Sequence, residues 1–343
     1  MKHNITMRDI ADKLGVSTVT VSKAINDKDG VGDDLRKKIK GVASDMGYRM
    51  NAAAKSMKEG LSYNIGVIIP ERFTGVTQAF YMQFYQALTK SMDEFGYSGI
   101  MHILSMDDEE QLALPRVYLE KKVDGFIILG QSNRDYTDMF LQTGTPLVFL
   151  DFYTDQPDVD CVITDNFYGV YDLTNHLIQL GHRDIAFVGN IQATSSILDR
   201  YLGYYKSILE HGIKTPEDYL INDRDDKGQY IEIALPSRMP TAFVCNGDQI
   251  AFHLVAMLQR KGYRVPEDCS VVGFDNDIFA TLTQPNLTTV EVNMPEMSKS
   301  AVSMLVRKIK HPNISHGRVS IKGKIVYRGS VKSLRQTNAI NND

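Results

Sequence analysis

An α/β chain with a small all-α unit at its N-terminus is the architecture this sequence predicts, and three observations predict it. Residues 5–47 carry short apolar stripes at helical spacing, separated by turn residues. From Asn64 onward the pattern changes to short strand-like apolar runs alternating with amphipathic helices, the signature of βαβ units on parallel sheets. The charge divides at the same place. Residues 1–60 hold 12 Lys and Arg against 8 Asp and Glu, and the remaining chain holds 26 against 34. A basic end on an acidic body points to a polyanion meeting the first unit only, or else to an ordinary solvated surface; charge alone does not choose.

The 343 residues, 43% of them hydrophobic and 23% charged, fit a folded chain of two to three domains and not a disordered one. No apolar run approaches the ~18 residues of a membrane-spanning helix. The opening Met-Lys-His-Asn-Ile-Thr lacks the apolar core of a secretory signal. Cys161, Cys245 and Cys269 are odd in number and widely spaced, with neither disulfide-framework nor metal-ligand spacing. The expectation is a reduced cytoplasmic protein, nucleoid-associated if it meets DNA, with no metal and no cofactor.

The elements follow in order. Met7–Leu14 puts Ile10, Ala11 and Leu14 on one stripe, and Gly15 permits a sharp turn. Ser17 is placed to cap a second helix, Thr18–Ile25, which buries Val21, Ala24 and Ile25. Asn26–Gly30 is a turn cluster. A third helix, Asp33–Met46, aligns Leu35, Ile39, Val42 and Met46 and stops at Gly47. Asn51–Lys58 permits a helix too short to hold alone, and Glu59–Ser62 reads as a linker. Strands are expected at Ile65–Ile69, Gly99–Leu104, Gly125–Leu129, Leu147–Leu150, Val162–Thr164, Ile185–Val188, Ala242–Cys245 and Ser270–Phe274. Helices are expected at Ala79–Phe95, Glu109–Lys121, Phe167–Leu180, Arg200–His211 and Gln249–Lys261. The body is too long for one tidy doubly wound sheet, so two lobes are expected.

Arg8–Asn26 is a helix, a turn holding glycine and a serine-capped second helix, an arrangement that suits the major groove of double-stranded DNA. The second helix turns Thr18, Val19 and Lys23 outward, toward base edges. An ordinary helical hairpin would show the same pattern.

Further motifs distinguish the two. The chain resembles the LacI/GalR family of bacterial transcription regulators in Thr6–Ala11, Gly15–Lys23, Met46–Asn51, Asp165–Gly169, Leu180–Arg183, Arg200–Tyr204 and Val265–Asp275. The resemblance implies a helix-turn-helix headpiece over 1–49, a hinge helix and linker over 50–62, a two-lobed periplasmic-binding-protein-like core over 63–331, and a polar tail over 332–343. It implies DNA contacts from Thr6, Ser17, Thr18, Val19, Thr20, Ser22, Lys23 and Asn26, and from Asn51, Lys55 and Met57 in the hinge. Where the family usually has arginine, Lys23 offers a point charge in place of a bidentate fork. Met57 stands where the family has the leucine that wedges into the minor groove.

By the same resemblance a small molecule, expected to be a sugar or sugar derivative, sits between the lobes. Arg200, Asp275 and Asp151 match ligand positions, the two aspartates at strand ends where α/β sheets gather ligands. Asn246 stands one place early against the family's Asn-Asp. Tyr81 matches a ligand-stacking aromatic, with Phe80 beside it either core or cleft. Asp165 and Asn166 are expected to cap the following helix. The family implies a homodimer on a palindromic operator. The tail after Val331 shows no heptads, so no coiled-coil tetramer is expected.

Enzyme fingerprints (Walker A, nucleophile elbow, zincin helix, GxGxxG) are missing, so no catalytic residue is expected. A periplasmic sugar binder would share the core but lack Gly15–Asn26. A global regulator answering a phosphorylated partner protein stays open.

Overall fold

The computed structural model describes residues 5–49, 56, 59–75, 79–156, 159–225 and 228–335. It divides into two compact units, 1–61 and 62–343. The hinge positions Asn51, Lys55 and Met57 lie outside the described residues.

The first unit is three helices, α1 (Met7–Leu14), α2 (Thr18–Ile25) and α3 (Asp33–Asp45). Ile10, Ala11, Val21, Ala24, Ile39 and Ala43 are its buried centre. The starts of the first two are fixed by side-chain caps the sequence carries. Thr6 and Asp9 form a capping box on α1, and Gly15 closes that helix in the left-handed region at φ 64°. Ser17 Oγ accepts from Thr20 N at 3.0 Å to begin α2. The turn after α2 is tied down from α3: Arg36 donates to the carbonyls of Lys28 and Val31, and Lys40 pairs with Asp27 at 2.7 Å.

The second unit holds two parallel sheets. Six strands, β1 (Asn64–Pro70), β2 (Ser98–Leu104), β3 (Gly125–Leu129), β4 (Leu147–Leu150), β5 (Cys161–Thr164) and β11 (Arg318–Ile321), form the first lobe in the order β11-β5-β4-β3-β1-β2. β1 lies inside the sheet between β3 and β2 and is buried on both faces, which is why its sequence is a continuous apolar run. Gly66 in β1 leaves room for the Phe126 ring, which would lie 2.3 Å from an added Cβ. β2 is one of the two edge strands and is more exposed than β1. The second lobe's sheet runs β7 (Leu220–Ile221), β6 (Ile185–Val188), β8 (Ala242–Cys245) and β9 (Ser270–Val272). A short antiparallel pair, β10 (Thr289–Glu291) with β12 (Lys324–Val326), completes the set.

The chain passes between the lobes three times: after β5, between β10 and the helix that follows it, and between β11 and β12. That late helix, α12 (Met294–Lys310), covers the first lobe beside α4 (Ala79–Glu94). Two helices, α8 (Asn166–Gln179) and α9 (Ser195–Glu210), pack as a pair on the second lobe.

Two expected elements are corrected. The helix expected at Arg200–His211 begins earlier, at Ser195, where the Thr194 hydroxyl accepts from Ile197 N. Glu109–Lys121 is not one helix but two short ones, α5 (Met106–Glu110) and α6 (Arg116–Leu119). Pro115 cannot continue a helix, and Leu112 turns at φ 55° ahead of it. Between α6 and α8 the chain forms α7 (Arg134–Gln142), and after β8 it forms α10 (Asp248–Arg260) and α11 (Ile278–Leu282).

Candidate functional site

In the helical unit α2 offers a polar outer face. Val19 is 63% exposed, and Thr18 and Lys23 are exposed beside it, while Val21 and Ala24 are fully buried. Thr20, Ser22 and Asn26 are half-buried. Asn26 donates from its amide to the Ser22 carbonyl at 2.8 Å, and the Ser17 and Thr20 hydroxyls share a 2.8 Å hydrogen bond. Thr6 is exposed, and its hydroxyl donates to Asp9. The face can present hydroxyls, one apolar side chain and one ammonium group to a groove.

In the second unit the loops after β4, β8 and β9 bring Asp151, Asn246 and Asp275 together with Tyr81 from α4 and Arg200 from α9 in one interlobe cluster. Asp151 follows β4 at φ 69°, and Asp275 follows β9 at φ 105°. Both are non-glycine residues held where L side chains rarely sit. The Tyr81 hydroxyl donates to Asp151 Oδ2 at 2.9 Å. Tyr81 stacks against Phe73 at 4.7 Å, and Gly130 leaves the space that both rings need. Phe80 packs against Phe84 at the edge of the core, while the Tyr81 hydroxyl meets Asp151.

Arg200 is the hub. It is 6% exposed and donates to Asn166 Oδ1 at 2.7 Å, to the Asn246 carbonyl and to Asp275 Oδ1 at 3.3 Å. Its guanidinium lies 3.8 Å over the Phe274 ring. Asp165 caps α8 as expected through Tyr168 N, but Asn166 is not a cap, because its side-chain oxygen orients Arg200. The Asn246 amide is fully engaged inside the protein. It donates to the Val188 carbonyl and to Asp223 Oδ2, and it accepts from Arg224 at 3.5 Å. Asn246 therefore holds the cluster in place.

Sequence reasoning missed Arg224, which pairs with the buried Asp223 at 2.7 Å and lies 4.9 Å over the Tyr230 ring. It also missed two contacts that bridge the lobes directly: Ser195 N donates to Gln131 Oε1 at 3.0 Å, and the Tyr153 hydroxyl donates to Asp199 at 2.9 Å. All these residues sit in irregular segments or at a helix start, where no periodicity marks them.

Burial raises Asp151 to about 6 against the opposing pull of Arg200 and the Tyr81 hydroxyl. Burial raises Asp275 to about 7; Arg200 opposes this, and the charges of Asp277 and Asp151 add to it. Tyr81 is pushed well above the ordinary tyrosine value by burial and then by Asp151. Two surface cavities of about 240 and 360 Å³ lie elsewhere on the first lobe, and none of the five cluster residues lines either. The cluster is the better candidate site because its polar groups converge from both lobes, whereas neither cavity is lined from the second lobe. Among the described residues no group of three or more His, Cys, Asp or Glu could hold a metal ion, and no helix is long and apolar enough to cross a membrane.

A helix-turn-helix unit joined to a two-lobed core with a polar interlobe cluster defines a ligand-responsive transcription regulator. The comparisons agree. The model of the bacterial regulatory proteins of the lacI family matches residues 6–51, and that of the periplasmic binding protein-like domain matches 174–331. The HTH-type transcriptional regulator RegA of Clostridium saccharobutylicum is 30% identical over 331 residues, covering 95% of this chain and 98% of that protein. The ribose operon repressor of Haemophilus influenzae is 28% identical, over 96% of this chain and 99% of that protein. A solved lac repressor bound to ONPG in the repressed state shares the fold at TM-score 0.71 and 23% identity, over 96% of this chain and all of that one. The chain belongs to the lacI family of bacterial regulatory proteins, and it is a DNA-binding transcription regulator.

Proposed function

We propose that the protein represses carbohydrate-utilisation genes as a homodimer on a palindromic operator, and that a small sugar-like effector between the core lobes sets its operator affinity. The observation that carries this reading is the interlobe cluster. Arg200 binds groups on the second lobe and faces Asp151 and Tyr81 of the first, so a ligand there gains most from closed lobes. The solved CelR regulator holds cellobiose, and another LacI family regulator holds ribose; both support a sugar-like ligand. The site does not act as an enzyme in this reading, and the protein works in the cytoplasm.

The DNA contacts belong to Thr18, Val19 and Lys23 on the outer face of α2, flanked by Thr6, Ser17, Thr20, Ser22 and Asn26. Asn51, Lys55 and the apolar wedge Met57 belong to the hinge. The organisation is headpiece 1–49, hinge and linker 50–62, core 63–331 and tail 332–343. The effector contacts are Tyr81, Asp151, Arg200 and Asp275, with Asn246 positioning them.

The test is operator binding by fluorescence anisotropy, with and without a sugar panel, alongside sedimentation of the free protein. The expected result is a dimer whose operator affinity changes when one panel member binds. Lys23→Ala should lose less than ~3 kcal/mol of sequence-specific binding, the upper range for a good base contact. Lys332 N donates to Ser270 Oγ and Leu334 N donates to the Leu180 carbonyl, so truncation for this test belongs after Arg335. A monomer with full operator affinity overturns the dimer, and a tetramer that survives removal of 336–343 places a further contact in the core.

A further inference from the structure

We propose that the outer face of α9 is an interface, and that its occupant is the same face of a second copy of this chain, laid antiparallel, so that two dimers join into a tetramer. The count of chains rests on the dimer reading above; the seam itself does not.

A surface helix is apolar where it meets the core and polar where it meets water, and a helix that is apolar all round is a buried one. The other long helices of the core keep to the first pattern. Asp172 and Gln179 on α8, His253 and Arg260 on α10, and Lys299 and Arg307 on α12 are exposed. The helix α9 departs from it. Ile197, Tyr204 and Ile208 pack into the core. On the opposite side Leu198, Leu202, Tyr205 and Leu209 are 38, 41, 41 and 58% exposed. At about 3.6 residues per turn these four fall on one narrow stripe. Their spacing of four, three and four residues is that of the a and d positions of a coiled-coil seam. Arg200 leaves the same helix on its buried side, so the stripe is separate from the interlobe cluster.

The spacing also selects the partner. Four-three-four reads the same from either end. A two-fold axis across the middle of the stripe therefore lays Leu202 against Tyr205 of the partner subunit, and Leu198 against Leu209 of the partner subunit, with no position left over. Charge agrees with that direction. Asp199 and Lys206 border the stripe on one side, each one residue past a seam position. Antiparallel pairing sets the acid of one copy beside the base of the other, and the axis repeats the match. The same border is held in place by α8: the Tyr171 hydroxyl donates to Glu210 at 2.6 Å, and Lys206 pairs with Glu210 and lies 5.6 Å over the Tyr171 ring. One helix seam is small beside the roughly 1,200–2,000 Å² of a stable complex, so the tetramer should form and dissociate with concentration.

Sedimentation velocity of the full chain, from dilute to concentrated solution, is the test. Wild type is expected to pass from dimer to tetramer. Leu202→Glu and Tyr205→Lys, each alone, should weaken the tetramer by about tenfold or more, because each places an unpaired charge in the seam. Their thermal melts should match wild type, since both side chains are at the surface. The double variant sets the new acid of one copy against the new base of the other at both crossings, and should regain most of the loss. Wild type that stays dimeric throughout overturns the proposal, and so do single variants that assemble as well as wild type. A double variant as weak as the singles overturns the antiparallel copy as occupant. A tetramer lost on removal of 336–343 moves the contact to the tail and overturns the seam. Protein that is monomeric when dilute, and pairs only while Leu202 is intact, overturns the dimer reading and keeps the seam.

Discussion

Arg200 shows how one side chain can tie a site together. It spans Asn166, Asn246 and Asp275 and lies on Phe274, so its loss strands buried partners from two elements. Arg200→Ala should cost about 3–5 kcal/mol of core stability, the usual penalty for leaving a buried charge alone. It should also abolish the effector response while leaving operator affinity of the folded protein nearly intact. Arg200→Lys keeps the charge without the fork, so it should keep more stability yet still lose most of the response. Thermal melts and operator release together check both variants. The aspartates give a pH signature. Both carboxyls are raised in the folded state, so the folded protein keeps protons that the unfolded chain has released. Their contribution is greatest below the unfolded carboxylate range near ~4 and is lost as pH climbs to about 6 and 7. The melting temperature of wild type minus that of Asp151→Asn should therefore fall between pH 4 and 7; a flat difference would show that Asp151 carries no such burden. Asp151, Arg200 and Asp275 were legible in the sequence because Arg200 opens a recognisable motif and the two aspartates follow clear strand-like runs. Arg224 was not, because Asp223-Arg224-Asp225-Asp226 reads as an ordinary charged loop until the fold brings it beside Asn246.

The helix pair α8 and α9 aims Arg200, and Gly203 governs how closely the two helices approach. A Cβ there would lie 2.1 Å from the Phe167 carbonyl oxygen, with backbone on the other side of the contact as well. Backbone cannot swing away as a side-chain tip can. Gly203→Ala should destabilise by about 1–3 kcal/mol or more through overpacking, and it should weaken effector binding by shifting the Arg200 turn. Differential scanning calorimetry with and without effector reads both effects. Most elements were visible in advance because their patterns are strong. β3, β6 and β8 are unbroken apolar runs buried on both faces, and α1 and α2 carry their own caps. β10, β11 and β12 were not, because they are three or four residues long and their pairing comes from distant sequence. The split of the expected helix at Pro115 was written in the sequence, but apolar spacing on either side masks it.

The linker enters the core at a defined clamp. Ser62 N and Tyr63 N both donate to the Asp124 carboxylate, at 2.7 and 2.8 Å, just before β3. Two backbone donors on one carboxylate hold the start of the first lobe's leading strand to its neighbour, and in the proposed switch this clamp passes movement of that lobe to the linker. Asp124→Ala should leave effector affinity unchanged and reduce the effector's influence on operator binding. Calorimetry for the first and anisotropy for the second separate the two. A variant with full effector control would mean that the signal bypasses the clamp. The two-lobed plan was legible from length and alternation alone. The triple passage between lobes was not, because it depends on β11 and α12 returning to a sheet begun more than 150 residues earlier.

That return has a consequence for how the protein comes into being. On the ribosome the first lobe is translated early but cannot be finished early. Its sheet lacks β11, and the apolar face of β3, β4 and β5 lacks the cover of α12, until residues 294–321 have emerged. Val148, Leu150 and Val162, all fully buried in the finished protein, face water or a chaperone throughout that interval. The helical headpiece needs nothing from downstream for its own centre. Nascent chains of this regulator therefore carry a folded DNA-reading module ahead of an unfinished sensor, and a premature stop before Met294 would release the reader without its control.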